Sequence, residues 1–246
     1  MTLAPPWSRL LVAGLVATAI APGCKGQGAR GRGTERVDGA AAVAAPPAVD
    51  AAAPTLAESA HAVDVACGKG DMEACRILGV LYAEGSGVTA DARRAAALYA
   101  QACEGGNAAA CNNLALVHAV GLGVEPDLAR AAQLYGAACD GGNLFACRNA
   151  GMMLAQGRGV EVDAARAAAL FGRACEGGLP LACNNLGSLH RDGAGVAKDE
   201  LGAMKLFQRA CDGGDPSGCR NLGMLYVEGR GVAKGMTTWT SAPINE

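Results

Sequence analysis

At 246 residues the chain has room for one or two ordinary domains. Its formal net charge of -2 provides none of the dense basic face that nucleic-acid binding requires. Hydrophobic residues make up 51% and aromatic residues only 4%, with alanine supplying much of the difference, which favours closely packed helices. Eleven cysteines are too many for an ordinary reduced cytosolic protein, and ten of them form five regularly spaced pairs, so an oxidising compartment is expected.

The amino terminus reads as an address. A short segment bearing Arg9 precedes the apolar run Leu10–Ala21, which is too short to span a bilayer but suits the core of a signal peptide. Residues 1–23 are therefore expected to be a signal peptide. The run ends in Ile20-Ala21-Pro22-Gly23-Cys24, which resembles a bacterial lipobox, although Ala21 stands where leucine is usual. The resemblance implies cleavage before Cys24 and lipidation of its thiol. An ordinary secretory signal followed by an incidental thiol is the other reading.

Residues 24–55 are rich in Gly, Ala and Pro and have no apolar period, so a disordered tether is expected. As a flexible coil its ends would lie on the order of 30 Å apart.

From residue 56 to 234 the sequence repeats. Cys67, Cys103, Cys139, Cys175 and Cys211 recur every 36 residues, and each is followed eight positions later by Cys75, Cys111, Cys147, Cys183 or Cys219. A strict period of this length marks a solenoid of stacked supersecondary units. Each unit holds two helical segments, typified by Ala109–Ala119 and by 127–139. Asp91, Asp127, Asp163 and Asp199 lie where a helix N-cap belongs. The following helices carry Ala95, Leu98, Tyr99 and Ala102 and their equivalents, a spacing that forms one helical stripe and makes the aromatic column core rather than ligand stack. Gly-x-Gly-Val loops join the two helices, with neither the Lys-Ser/Thr ending nor the preceding strand of a phosphate-binding loop.

Each cysteine pair brackets a turn between a helix and the next. Folding that hairpin brings the helices side by side, so local pairing is the natural connectivity. A spacing of C-x7-C with only three histidines in the chain does not suit zinc, and no C-x-x-C redox motif is present.

Taken together, Ala-Cys-x-Asn-Leu-Gly, Gly-x-Gly-Val and Asp-x-x-x-Ala-x-x-Leu-Tyr/Phe-x-x-Ala-Cys resemble the Sel-1-like repeat, a relative of the tetratricopeptide repeat, over residues 57–234. The cysteines resemble those of the secreted cysteine-rich Hcp subgroup. The resemblance implies an all-α, right-handed α/α solenoid with one disulfide per repeat and a concave groove that serves as an adaptor for peptides or proteins. Members of that subgroup are also described as penicillin-binding proteins or β-lactamases. The pattern stops at 235–246, where Gly235 replaces the capping aspartate and no further stripe follows. The last helix thereby lacks its partner, which leaves an exposed edge or an irregular cap.

Little in the sequence points to catalysis. No serine is followed three positions later by lysine, and His61, His118 and His190 are scattered. No cofactor or metal is expected. The groove candidates are Asn113, Asn149, Asn185 and Asn221, each followed by a small-residue or leucine pair, together with Arg148 and Arg220 in the adjacent column, where Asn112 and Asn184 alternate with them. Asparagine can pair with the backbone of an extended peptide, and arginine can hold a carboxylate, of a peptide or of cell-wall material. The asparagines have a second reading, as bonds to a neighbouring repeat. The expected protein is a lipid-anchored envelope solenoid that binds a peptide-like or protein ligand, with a penicillin-like ligand as the alternative.

Overall fold

The computed structural model describes residues 55–230. The chain divides into two units at 50/51, and the described residues all belong to the second. They form ten helices in two alternating sets. The A helices are α2 (Met72–Glu84), α4 (Ala108–Val120), α6 (Leu144–Gln156), α8 (Pro180–Asp192) and α10 (Pro216–Val227). The B helices are α1 (Leu56–Gly68), α3 (Ala92–Glu104), α5 (Leu128–Asp140), α7 (Ala164–Glu176) and α9 (Glu200–Asp212). Among the described residues, no helix is long and apolar enough to cross a membrane.

Local chemistry sets these boundaries. The side chains of Asp91, Asp127, Asp163 and Asp199 each accept a hydrogen bond from a backbone N–H in the first turn of α3, α5, α7 and α9, satisfying donors that the helix itself cannot. The same role falls to Asp71, Asn107, Asn143 and Asp215 on the A helices, whereas α8 has Leu179 and no side-chain cap. The Gly-x-Gly loops end the A helices in left-handed backbone. At Gly123 the φ angle is 75°, and a Cβ would stand 2.5 Å from the carbonyl carbon of Ala92. Glycine there both reverses the chain and lets the loop press on the first turn of the preceding B helix.

Each helix packs against its neighbours in sequence, tightest within the A–B pairs. The joint within a pair is aromatic. Tyr99, Tyr135, Phe171 and Phe207 are all at most 5% exposed and lie among fully buried alanines such as Ala95, Ala131, Ala167 and Ala203. The rings need small residues opposite them: a Cβ on Gly151 would lie 2.7 Å from the ring of Phe171.

All five disulfides close locally, joining Cys67–Cys75, Cys103–Cys111, Cys139–Cys147, Cys175–Cys183 and Cys211–Cys219. Each ties the end of a B helix to the first turn of the next A helix and so fixes the repeat register. Five such bonds fit an oxidising, extracytoplasmic compartment.

The stack is curved. α2 approaches α4 and α8 approaches α10 directly, whereas no two B helices of the described residues come as close. The A helices therefore form the inner wall and the B helices the splayed outer wall. α1 is a B helix with no described A helix before it, and α10 is an A helix with no described B helix after it.

Candidate functional site

The inner wall is the exposed stripe of the A helices, residues three or four apart and turned away from the B layer. On α6 it reads Phe145, Arg148, Asn149, Met152 and Gln156; on α8 it reads Leu181, Asn184, Asn185 and Ser188. All six groove candidates fall in the columns of this stripe, but Asn113 is buried and the others do different things there.

The asparagine column is partly engaged. Nδ2 of Asn149 donates to Oδ1 of Asn112 at 3.4 Å, and Nδ2 of Asn221 donates to Oδ1 of Asn184 at 2.8 Å. Each bond joins one repeat to the next across a diagonal of 37 residues. Asn113 is 4% exposed, and its Nδ2 has no partner. Asn185 is half-buried and sits on the diagonal from Arg148 rather than from an asparagine.

The arginines differ just as much. Arg76, the first of the column, is held by Glu73, with Nε donating at 2.9 Å, and Nδ2 of Asn107 donates to the same carboxylate at 2.9 Å. In α6 the place of Glu73 is taken by Phe145, so Arg148 has no carboxylate on its own helix. It makes no side-chain hydrogen bond or ion pair, and its Nε is buried without a partner. Burial of the guanidinium pushes its pKa down, and the charge of Asp215 only partly offsets this. Asp215 itself is 4% exposed; Oδ1 caps α10 through the Ser217 N–H at 3.0 Å, and Oδ2 is unpartnered. Arg220, on the last repeat, is exposed.

Sequence reasoning missed Phe145 and Leu181. They occupy the column one turn before the arginines and are 56% and 39% exposed. The available signal was Phe145 itself, an aromatic placed three residues before Arg148 outside the aromatic core column.

A cleft of about 720 Å³ opens on the outer wall between α5 and α7. It is a product of the splayed B helices, and its floor is Ala150 and Leu154. Much of its polar rim is already engaged: Asp163 caps α7 at the Arg166 N–H, and Asp140 meets Arg173 at 3.3 Å. The inner wall carries the unpaired guanidinium. His118 and His190 fall in the column of Leu154, and each has a buried Nδ1 without a partner. Ser188 donates to the carbonyl of Asn184 at 3.1 Å on the opposite side of α8 from His190, so the helix holds the serine and the histidine apart. Cys24 lies outside the described residues.

Comparison with known proteins agrees with the geometry. The Sel1 repeat model matches residues 73–107, 108–143, 144–179, 180–215 and 216–235. The chain is similar to a protective antigen of uropathogenic Escherichia coli strains displaying an SLR fold, at 27% identity and a TM-score of 0.68, over 71% of this chain and 38% of that one. It is similar to a Sel1 repeat protein from Oxalobacter formigenes at 26% identity and a TM-score of 0.68, over 72% and 74% of the two chains. Cysteine-rich protein B of Helicobacter pylori matches at 28% identity and a TM-score of 0.44, over 54% of this chain and 96% of that one. No curated protein matches the sequence significantly. With the repeat model covering more than half of its length in the same 36-residue register as the helices and disulfides, the chain belongs to the Sel1 repeat family.

Proposed function

We propose that this protein is an envelope-anchored adaptor, held by a lipid on Cys24, that takes a peptide-like segment of a partner along its inner wall. The observation that supports this reading is the group formed by Phe145, Arg148 and Leu181. An exposed aromatic and an exposed leucine supply apolar anchors of the kind that dominate binding energy. On the same wall Arg148 is a half-buried cation with no ion pair or hydrogen bond, although the charge of Asp215 acts on it.

A desolvated guanidinium is costly when unpaired and forms strong bidentate bonds with a carboxylate. The preferred ligand is therefore a segment carrying a carboxylate next to an apolar side chain. Asn185, half-buried on α8, reads the ligand backbone through its amide donor and acceptor. Asn149 and Asn221 hold the register of the wall, and each keeps an acceptor oxygen for a ligand.

The test is a binding measurement against partners captured from envelope extract. Arg148→Ala and Phe145→Ala should each weaken capture of one defined partner by tenfold or more, with an unchanged melting transition. Equal loss of binding and stability, or no loss of binding, would sink the reading.

A further inference from the structure

The joint between α6 and α8 departs from the joint between α2 and α4 at three places. In the earlier joint, Nδ2 of Asn107, the cap of α4, donates to Glu73 at 2.9 Å, and Glu73 in turn holds Arg76. The same places in the later joint carry Leu179, Phe145 and Arg148. Two apolar side chains replace the polar pair, and the arginine loses its anion.

The next joint brings a charge back. Asn107 shows that the cap of one A helix reaches the second residue of the A helix before it. The same step sets Asp215, the cap of α10, beside Leu181, and α8 approaches α10 directly. Arg148 faces the same turn from the other side. Its diagonal neighbour is Asn185, one turn after Leu181. Side chains lean towards the N-terminus of their helix, a lean that takes a long one on α6 towards the start of α8. Both charged residues have an idle atom there: Nε of Arg148 and Oδ2 of Asp215 are buried without partners, and Asp215 is 4% exposed. The charge of Asp215 acts on the guanidinium, although the two idle atoms do not bond each other.

We propose that Asp215 makes this site select a dipolar ligand, a peptide segment with a lysine or arginine beside the carboxylate that Arg148 takes. This rests on the reading of the inner wall as a carboxylate site. Arg148 and Asp215 together are neutral. A ligand carboxylate alone would leave one negative charge in excess in a place partly closed to water, where like charges repel strongly. A cation on the ligand restores the balance and meets the field of Asp215. Specific interfaces commonly reject a wrong partner through such a repulsive group. Arg220 does not supply the missing charge, because it is exposed and solvent screens its field.

The test presents the full chain to an array of peptides built around a Leu-Glu pair, with lysine at successive positions on either side. A matched array carries acetyl-lysine, which keeps the length and removes the charge. The lysine array should retain the unmutated chain about tenfold more strongly. Asp215→Asn removes the charge but keeps a capping side chain, since Asn107 and Asn143 cap α4 and α6. It should leave the melting transition in place, strengthen retention by acetyl-lysine peptides and bring the two arrays to within about twofold. Arg148→Gln should abolish retention by both. Equal retention of the unmutated chain by both arrays overturns the proposal, and that comparison depends on no variant folding. A lysine preference that survives Asp215→Asn overturns it as well. In either case, retention lost in Arg148→Gln leaves the carboxylate reading standing. Retention that survives Arg148→Gln, or no retention by either array, overturns both.

Discussion

The two walls of the solenoid come from one 36-residue unit, yet they differ in how much of their polar chemistry is engaged. On the outer wall, side chains reach along the stack and are used up there. Arg173 meets Asp140, Arg209 approaches the Glu176 carbonyl at 3.5 Å, and Arg94 lies 4.4 Å above the ring of Tyr82. On the inner wall, Phe145 and Leu181 stay exposed, and Arg148 keeps its charge unpaired. A cleft of about 720 Å³ lies on the outer wall and the unpaired guanidinium on the inner one. The cleft follows from curvature, because splayed helices leave gaps. Availability follows from what stands opposite each side chain, and it is the better guide to recognition.

That contrast can be broken most forcefully at the joint between the walls. Phe171 is 2% exposed and Phe145 is 56% exposed. Phe171→Ala should cost about 3–5 kcal/mol in urea unfolding, while Phe145→Ala should stay within about 0.5 kcal/mol. Similar losses at both positions would erase the distinction between a structural ring and a binding ring.

The disulfides come next. Replacing Cys175 and Cys183 together by alanine should remove roughly 2.5 kcal/mol, the chain-entropy value for so small a loop. Accessibility sets the order of reduction. Cys139, Cys147, Cys175 and Cys183 are at most 1% exposed, whereas Cys219 is open to solvent. Mild reductant followed by alkylation and peptide mapping should label Cys211 and Cys219 first.

Alkaline pH separates the two halves of the joint. Burial pushes the hydroxyls of Tyr99 and Tyr135 up to about 12. The folded chain holds these protons where the unfolded chain releases them, so their contribution is complete below about pH 10 and is lost as pH rises towards 12. The loss is on the order of 2 kcal/mol per tyrosine. Phe171 and Phe207 have nothing to ionise, so hydrogen exchange near pH 11 should show α2–α5 opening before α6–α9. The smallest effect is on the inner wall: Asn221→Ala removes the 2.8 Å bond to Asn184 and should cost about 1 kcal/mol. Asn149→Ala, with its 3.4 Å bond, should cost less.

The scaffold was legible in the sequence because identical columns solve identical problems. The capping aspartates, the aromatic stripe and the eight-residue cysteine spacing each describe a local contact that recurs every 36 residues. The inner wall was not legible in the same way. Adjacent A helices meet on a diagonal of 37 residues, so Asn149 answers Asn112 and not its own column. Arg76 and Arg148 share a column, but Glu73 pairs one and Phe145 leaves the other free. What a repeated residue does there depends on a neighbour that does not repeat.

The most direct test of the inner-wall account is site-specific photo-crosslinking in intact envelopes, with the probe placed once at Phe145 and once at Gln133 on the rim of the outer cleft. The account predicts one discrete adduct from the Phe145 position, abolished by Arg148→Glu, and none of comparable yield from Gln133. A discrete adduct from Gln133 alone, or one from Phe145 that survives Arg148→Glu, would contradict it.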